Sequence, residues 1–162
     1  MATYTERILG LLGDRPPAAS LEQTATRIQE VARRLDARGL ARSYAPGKWT
    51  AAQLLCHLAD AEIATGFRLR QALSEDNHVI QPFDQDRWAD RYQGLDGAVA
   101  ARAFGALRQW NLALIRSLTP ADLARPAHHP ERGPEPVGHI IKMLAGHDLN
   151  HLAQLEQVEA GA

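Results

Sequence analysis

The stretch Ile140-Ile141-Lys142-Met143-Leu144-Ala145-Gly146-His147-Asp148-Leu149-Asn150-His151-Leu152-Ala153-Gln154-Leu155 decides the fold class. Ile140, Leu144 and Leu155 recur at helical steps, Val158 continues the row, and His147 and His151 occupy two places within it. Apolar positions returning every three or four residues mark one face of an α-helix. Pro136 just upstream predicts that the helix starts after it. Three further segments repeat the pattern. Leu21, Ala25, Ile28, Ala32 and Leu35 form one row, with Ser20 and Gln23 spaced as a capping box and Gly39 placed to end the helix. A second row, Leu54, Leu58, Ala61, Thr65, Leu69 and Leu73, follows Thr50 and Gln53 in the same capping spacing. The third runs from about Asp96 through Val99, Ala103, Leu107, Trp110, Leu114 and Leu118.

All nine prolines fall outside these four segments, as expected when an interior proline costs a helix ~3 kcal/mol. No stretch alternates with period two, so no sheet is expected. Residues 3–12 predict a short extra N-terminal helix. Four amphipathic helices in one domain of residues 1–162 imply an all-α four-helix bundle. The connection from about Asn77 to Leu95 is long for a bundle, with room for a helical turn.

Composition mainly excludes. The chain has 162 residues, 45% hydrophobic and 23% charged, with net charge −1, ordinary for a globular protein. The near-neutral balance argues against nucleic acid as the partner. No apolar run approaches the ~18 residues a membrane span needs. The segment Met1 to Leu12, with Glu6 and only a short apolar run, does not read as a signal peptide, so the expected location is cytoplasmic. One cysteine, Cys56, excludes an intrachain disulfide and a paired-cysteine metal site. Nothing matches a Walker loop, a dinucleotide fingerprint or a Gly-x-Ser-x-Gly elbow.

Seven histidines then become the candidate metal ligands. His147 and His151, one turn apart on the inward row, can converge on one ion. His57 sits at the side of the second row and is the candidate third ligand; a hydrogen-bonded core histidine is the plainer reading for it alone. Asp60, one turn after His57, is placed to orient its far nitrogen, and Glu62 is less well aligned. Cys56 reads as buried packing. His78 and His139 read as exposed. His128 and His129 read as a surface loop, with a loop folded over a site mouth as the alternative. Arg68 and Arg108 could meet an anionic substrate, against a default of solvated arginines. Asp60, Asp84 and His129 are candidates for a catalytic base by position only, so the catalytic residue is unassigned.

Several motifs carry a family resemblance. Pro46-Gly47-Lys48-Trp49-Thr50 with His57-Leu58-Ala59-Asp60-Ala61-Glu62, and Gly146-His147-Asp148-Leu149-Asn150-His151-Leu152-Ala153-Gln154-Leu155, resemble the DinB-like (DinB/YfiT) superfamily. Phe83-Asp84-Gln85-Asp86-Arg87-Trp88 and His129-Pro130-Glu131-Arg132-Gly133 resemble its connectors. The resemblance spans roughly residues 20–158. It implies an up-down-down-up bundle, with a divalent metal, commonly zinc or nickel, held by three histidines that fall on His57, His147 and His151. It also implies a small-molecule substrate, a low-molecular-weight thiol such as bacillithiol or mycothiol, and a homodimer. Metal-dependent thiol transfer, with the metal activating the thiol, is the leading expectation. Metal-dependent hydrolysis and a non-catalytic stress-response module with a structural metal stay open beside it.

Overall fold

The computed structural model describes residues 2–161; Met1 and Ala162, the ends of the expected 1–162 domain, lie outside the described residues. Four long helices, α2 (Pro17–Arg34), α4 (Ala51–Ser74), α6 (Gly97–Ser117) and α8 (Val137–Ala160), form the bundle, and α1 (Tyr4–Leu12) packs across α8. Around the bundle the packed pairs are α4 with α6, α6 with α2, α2 with α8 and α8 with α4. Gly97 meets Ala52 and Gly66 meets Asn111, so α4 and α6 run parallel. Thr24 bonds Asp148 and Arg27 bonds Glu156, so α2 and α8 are parallel as well. Leu21 and Gln29 meet Arg108 and Ala101 in reverse order, so α2 and α6 are antiparallel. The directions are up-down-down-up. Because α4 and α6 point the same way, the chain must travel back along the bundle between them, which accounts for the long 75–96 connection. It holds the helical turn α5 (Gln85–Ala89), capped by Asp84, and a second short turn, α7 (Pro120–Leu123), capped by Thr119, follows α6. No helix among the described residues is long and apolar enough to cross a membrane.

The helix starts follow their caps. Thr3 with Glu6 and Thr50 with Gln53 form reciprocal capping boxes, and the Asp96 carboxylate accepts the first free N–H groups of α6. The expected start of α2 is corrected. The helix begins at Pro17, where a missing N–H costs nothing, and Ser20 is buried in its first turns rather than capping it. Its end is corrected too: α2 stops at Arg34, and Gly39 belongs to the short α3 (Ala37–Leu40), capped by Asp36.

Two further expectations fail for physical reasons. A small sheet exists: β1 (His78–Val79) pairs parallel with β2 (Ala127–His129), which pairs antiparallel with β3 (Gly133–Pro134). Strands of two and three residues are too short for period-two alternation to register. On α6 the expected inward row is not the buried face: Val99 is 50% exposed and Trp110 68%, and only its later members Leu114 and Leu118 pack, partly buried, against the core. The buried face is Ala101, Phe104, Arg108, Asn111, Leu112 and Ile115. Two polar residues on that face disguise it.

Beside a small apolar cluster of Cys56, Ala89 and Tyr92, the interior has two larger ones. One gathers Ile28, Leu54, Phe104 and Leu155; the other gathers Leu69, Leu112, Ile140 and Leu144. Between them lies a polar layer of Glu62, Arg108, Asn111, Asp148 and Thr24, all buried. At Gly146 the α1 backbone comes so close that a Cβ would lie 2.1 Å from the Ile8 carbonyl oxygen, so only glycine fits there.

Candidate metal centre

Helix α4 carries His57 and α8 carries His147 and His151, and packing α4 against α8 brings the three rings together. One nitrogen from each lies within 4.8 Å of the others. Nε2 of His57 is 2.9 Å from Nε2 of His147. Nδ1 of His151 donates to Gln154 Oε1 at 2.7 Å, which leaves its Nε2 lone pair for the cluster. Trp49 packs on His57 at 4.9 Å between ring centroids and stacks over His151 at 6.5 Å.

The His57 and His151 rings are neutral near pH 7. Burial, then the neighbouring His147 and His151, push the His57 pKa down to about 2. Burial, then His147, lower that of His151 to about 3. Neutral imidazoles whose lone pairs converge are the donor set that first-row divalent metals accept. The Nδ1 atoms of His57 and His147 are buried without a partner. With Nδ1 protonated, each ring turns its lone pair on Nε2, toward the cluster. These residues could hold a metal ion.

The polar layer adjoins this cluster. Arg108 donates to Glu62 Oε1 at 2.5 Å, Asp148 Oδ2 at 2.6 Å and the Leu21 carbonyl at 2.9 Å. Asn111 donates to Glu62 Oε2 at 2.9 Å, and Thr24 to Asp148 Oδ2 at 3.0 Å. Burial opposes the charge on Arg108, but Asp148 and Glu62 hold its pKa above the ordinary arginine value. Burial likewise opposes the Asp148 carboxylate, yet Arg108 holds its pKa at about 2. Two carboxylates against one guanidinium leave a negative excess beside the imidazoles. Asp148 Oδ1, without a hydrogen bond, lies 3.8 Å from His147 Nδ1. Both the donor set and this charge suit a cation.

A cavity of about 320 Å³ opens on His57 and His147, and His129 lines it. His129 is buried in β2, so the loop over the site mouth is the arrangement observed, while His128 is exposed. Glu131 N–H donates to His129 Nδ1 at 3.2 Å. Other expectations are corrected. Asp60 does not orient His57; it accepts from the Tyr92 hydroxyl at 2.8 Å. Arg108 is 1% exposed, not solvated. Asp84 caps α5 and does not line the cavity. His78 is largely buried and bonds Glu75 at 2.6 Å, and His139 is half-buried. Cys56 is buried packing as expected, and burial raises its thiol pKa. Tyr4, Arg132 and Glu135 on the cavity wall were missed. The spacing of Arg132 and Glu135 was the available signal for that ion pair.

Two parallel helix pairs with three imidazoles clustered between α4 and α8 define a histidine-triad helical bundle. The chain belongs to the DinB superfamily, whose sequence pattern matches residues 20–155. It is similar to an Oceanobacillus iheyensis protein provisionally named a metal-dependent hydrolase, at 37% identity over 114 residues. That match covers 70% of this chain and 66% of the relative, just under two thirds of its length. A Bacillus mycoides protein with the same provisional name is 28% identical over 136 residues, 83% of this chain and 79% of the relative. Among solved structures, YfiT from Bacillus subtilis superposes with a TM-score of 0.83 at 20% identity, covering 99% of this chain and 90% of that one. It too is described, provisionally, as a metal-dependent hydrolase, with an unusual four-helix bundle topology. The mycothiol-dependent maleylpyruvate isomerase superposes at 0.70 with 13% identity, covering 86% of this chain and 59% of that one.

Proposed function

We propose that this protein is a metal-dependent hydrolase of small molecules, its zinc or nickel ion held by His57, His147 and His151. The carrying observation is that three imidazoles converge beside an open cavity. Three protein ligands with room for another are the arrangement of catalytic rather than closed structural sites. A divalent metal there would supply Lewis acidity, lowering the pKa of a nucleophile in the open position. The chain's own residues do the rest. Trp49 packs on two of the rings and limits their rotation. Ala61, Ile140 and Leu144 give the cavity apolar walls that limit water around the reacting group. His129 accepts from Glu131 N–H on Nδ1, so the neutral ring carries its proton on Nε2 and can donate a hydrogen bond to a substrate oxygen in the cavity.

The relatives' names favour hydrolysis over thiol transfer, the leading expectation from the sequence. The buried Cys56 thiol, its pKa raised by burial, makes a poor nucleophile, so a transferase would need its thiol from solution. The test is metal content followed by activity. Wild-type protein is expected to carry about one metal per chain and His147→Ala to lose most of it, because a three-ligand site cannot spare one. Full occupancy in His147→Ala would remove the basis of the reading. An ester and amide panel should then show turnover in metal-loaded but not stripped protein. Turnover only with a thiol and an electrophile such as monochlorobimane would restore thiol transfer.

A further inference from the structure

One face of α4 carries His57, Ala61, Thr65 and Arg68 in steps of four, four and three, and all four line the cavity. Eleven residues of helix separate His57 from Arg68, a rise of ~16 Å. The cavity therefore has a histidine end and an arginine end. Between them Ile140, Met143 and Leu144 supply an apolar wall from α8.

Arg68 differs from the other guanidinium groups nearby. Arg132 is forked by the buried Glu135 at 2.6 and 3.0 Å, and Arg108 lies between two carboxylates. Arg68 makes no ion pair among the described residues. It donates to the Gln81 carbonyl at 3.1 Å and lies over the Phe83 ring, 5.2 Å from its centroid. Burial and then the charge of Arg132 work against its positive form. A half-buried cation with only a carbonyl and a ring as partners gains from an anion. A guanidinium steadied on an aromatic face matches a carboxylate with two parallel hydrogen bonds. Glu131, on the cavity rim without an ion pair, disfavours a second negative charge on the ligand.

We propose that the cavity takes a monocarboxylate with an apolar body, its carboxylate held by Arg68 and its reacting group directed toward His57 and His147. The direction of the reacting group rests on the hydrolase reading; capture of the carboxylate does not. A volume of about 320 Å³ is at the lower end for small-molecule sites, which suits a ligand of one ring and a short chain.

The experiment uses metal-stripped protein, so that a carboxylate cannot bind simply by coordinating an ion. Titration calorimetry compares 4-phenylbutanoate with 4-phenylbutanamide, which has the same shape without the charge. The acid is expected to bind at least about tenfold tighter than the amide in wild-type and in His147→Ala protein. Arg68→Gln should abolish that preference while leaving the amide unchanged, which also reports that the cavity is intact. Arg68→Lys, keeping the charge but not the fork, should retain part of it and serves if the glutamine variant does not fold. Equal binding of acid and amide, no binding of either up to about 10 mM, or a preference that survives in Arg68→Gln would each overturn the proposal. Metal content is measured separately, so loss of the hydrolase reading would leave this result interpretable.

Discussion

Around Phe104 the bundle interior is Ile28, Leu54 and Leu155; one turn further along α6 it is Arg108, held by Glu62 and Asp148. The first region is stabilised by area removed from water, a non-directional effect shared over many contacts. The second consists of a few short hydrogen bonds in which every member depends on the others. The apolar end can exchange one aliphatic side chain for another at small cost. The polar layer cannot lose one partner without leaving a buried charge behind. What it provides is a registered contact among α2, α4, α6 and α8 at the level of the histidines. The bundle is therefore most specific where the site is.

The sharpest way to break this comparison is Arg108→Met. It leaves two buried carboxylates without their counter-charge, and the expected loss is roughly 3–5 kcal/mol, read from urea denaturation midpoints. A loss below about 1 kcal/mol would put the layer on a par with the apolar end. Replacing Glu62 and Asp148 by leucine as well should recover much of the loss, since a buried ion triad is often no better than an apolar filling.

Acid separates the regions next. In metal-free protein the folded-state pKa values of His57 and His151 lie at about 2 and about 3, below an unfolded value of ~6.5. The unfolded chain thus binds more protons below pH ~6.5. Stability from these groups is complete above that pH and falls as the pH drops toward the folded values, at roughly 2–3 kcal/mol per pH unit for two histidines. His57→Phe should halve the slope. Denaturation curves between pH 7 and about pH 5 read it, and a flat profile would contradict burial of neutral rings.

At the apolar end, Ile28→Val should cost roughly 0.5–1.5 kcal/mol and lower the whole pH profile without changing its slope. The smallest effect belongs outside both regions. Arg27 pairs with Glu30, Glu156 and Glu159 at a half-exposed surface, and Arg27→Ala should move the urea midpoint least of all these variants, and less still in high salt.

The same contrast explains how far the sequence could be read. Helices α4 and α8 were legible because their rows, caps and histidines agree: Thr50 with Gln53 marked one start and Pro136 the other. The His57, His147 and His151 cluster follows from those two faces. On α6, Arg108 and Asn111 interrupt the inward row while Val99 and Trp110 complete a better-looking outward one. No local pattern could show that Glu62 and Asp148, 46 and 40 residues away in sequence, neutralise Arg108. Asp60 was misread for a related reason: helical spacing placed it near His57, but the hydroxyl of Tyr92 from the next segment claims it. The small sheet and the buried His129 depend on pairing between distant loops, which short strands do not announce.

The stacking of Trp49 on His57 and His151 has a practical optical consequence. Of the three tryptophans, Trp88 and Trp110 are exposed and far less dependent on the interior, so Trp49 is the chromophore in contact with the imidazoles. Its emission is therefore expected to respond to a metal added at those rings, which would make it a built-in fluorescent gauge of the histidine centre.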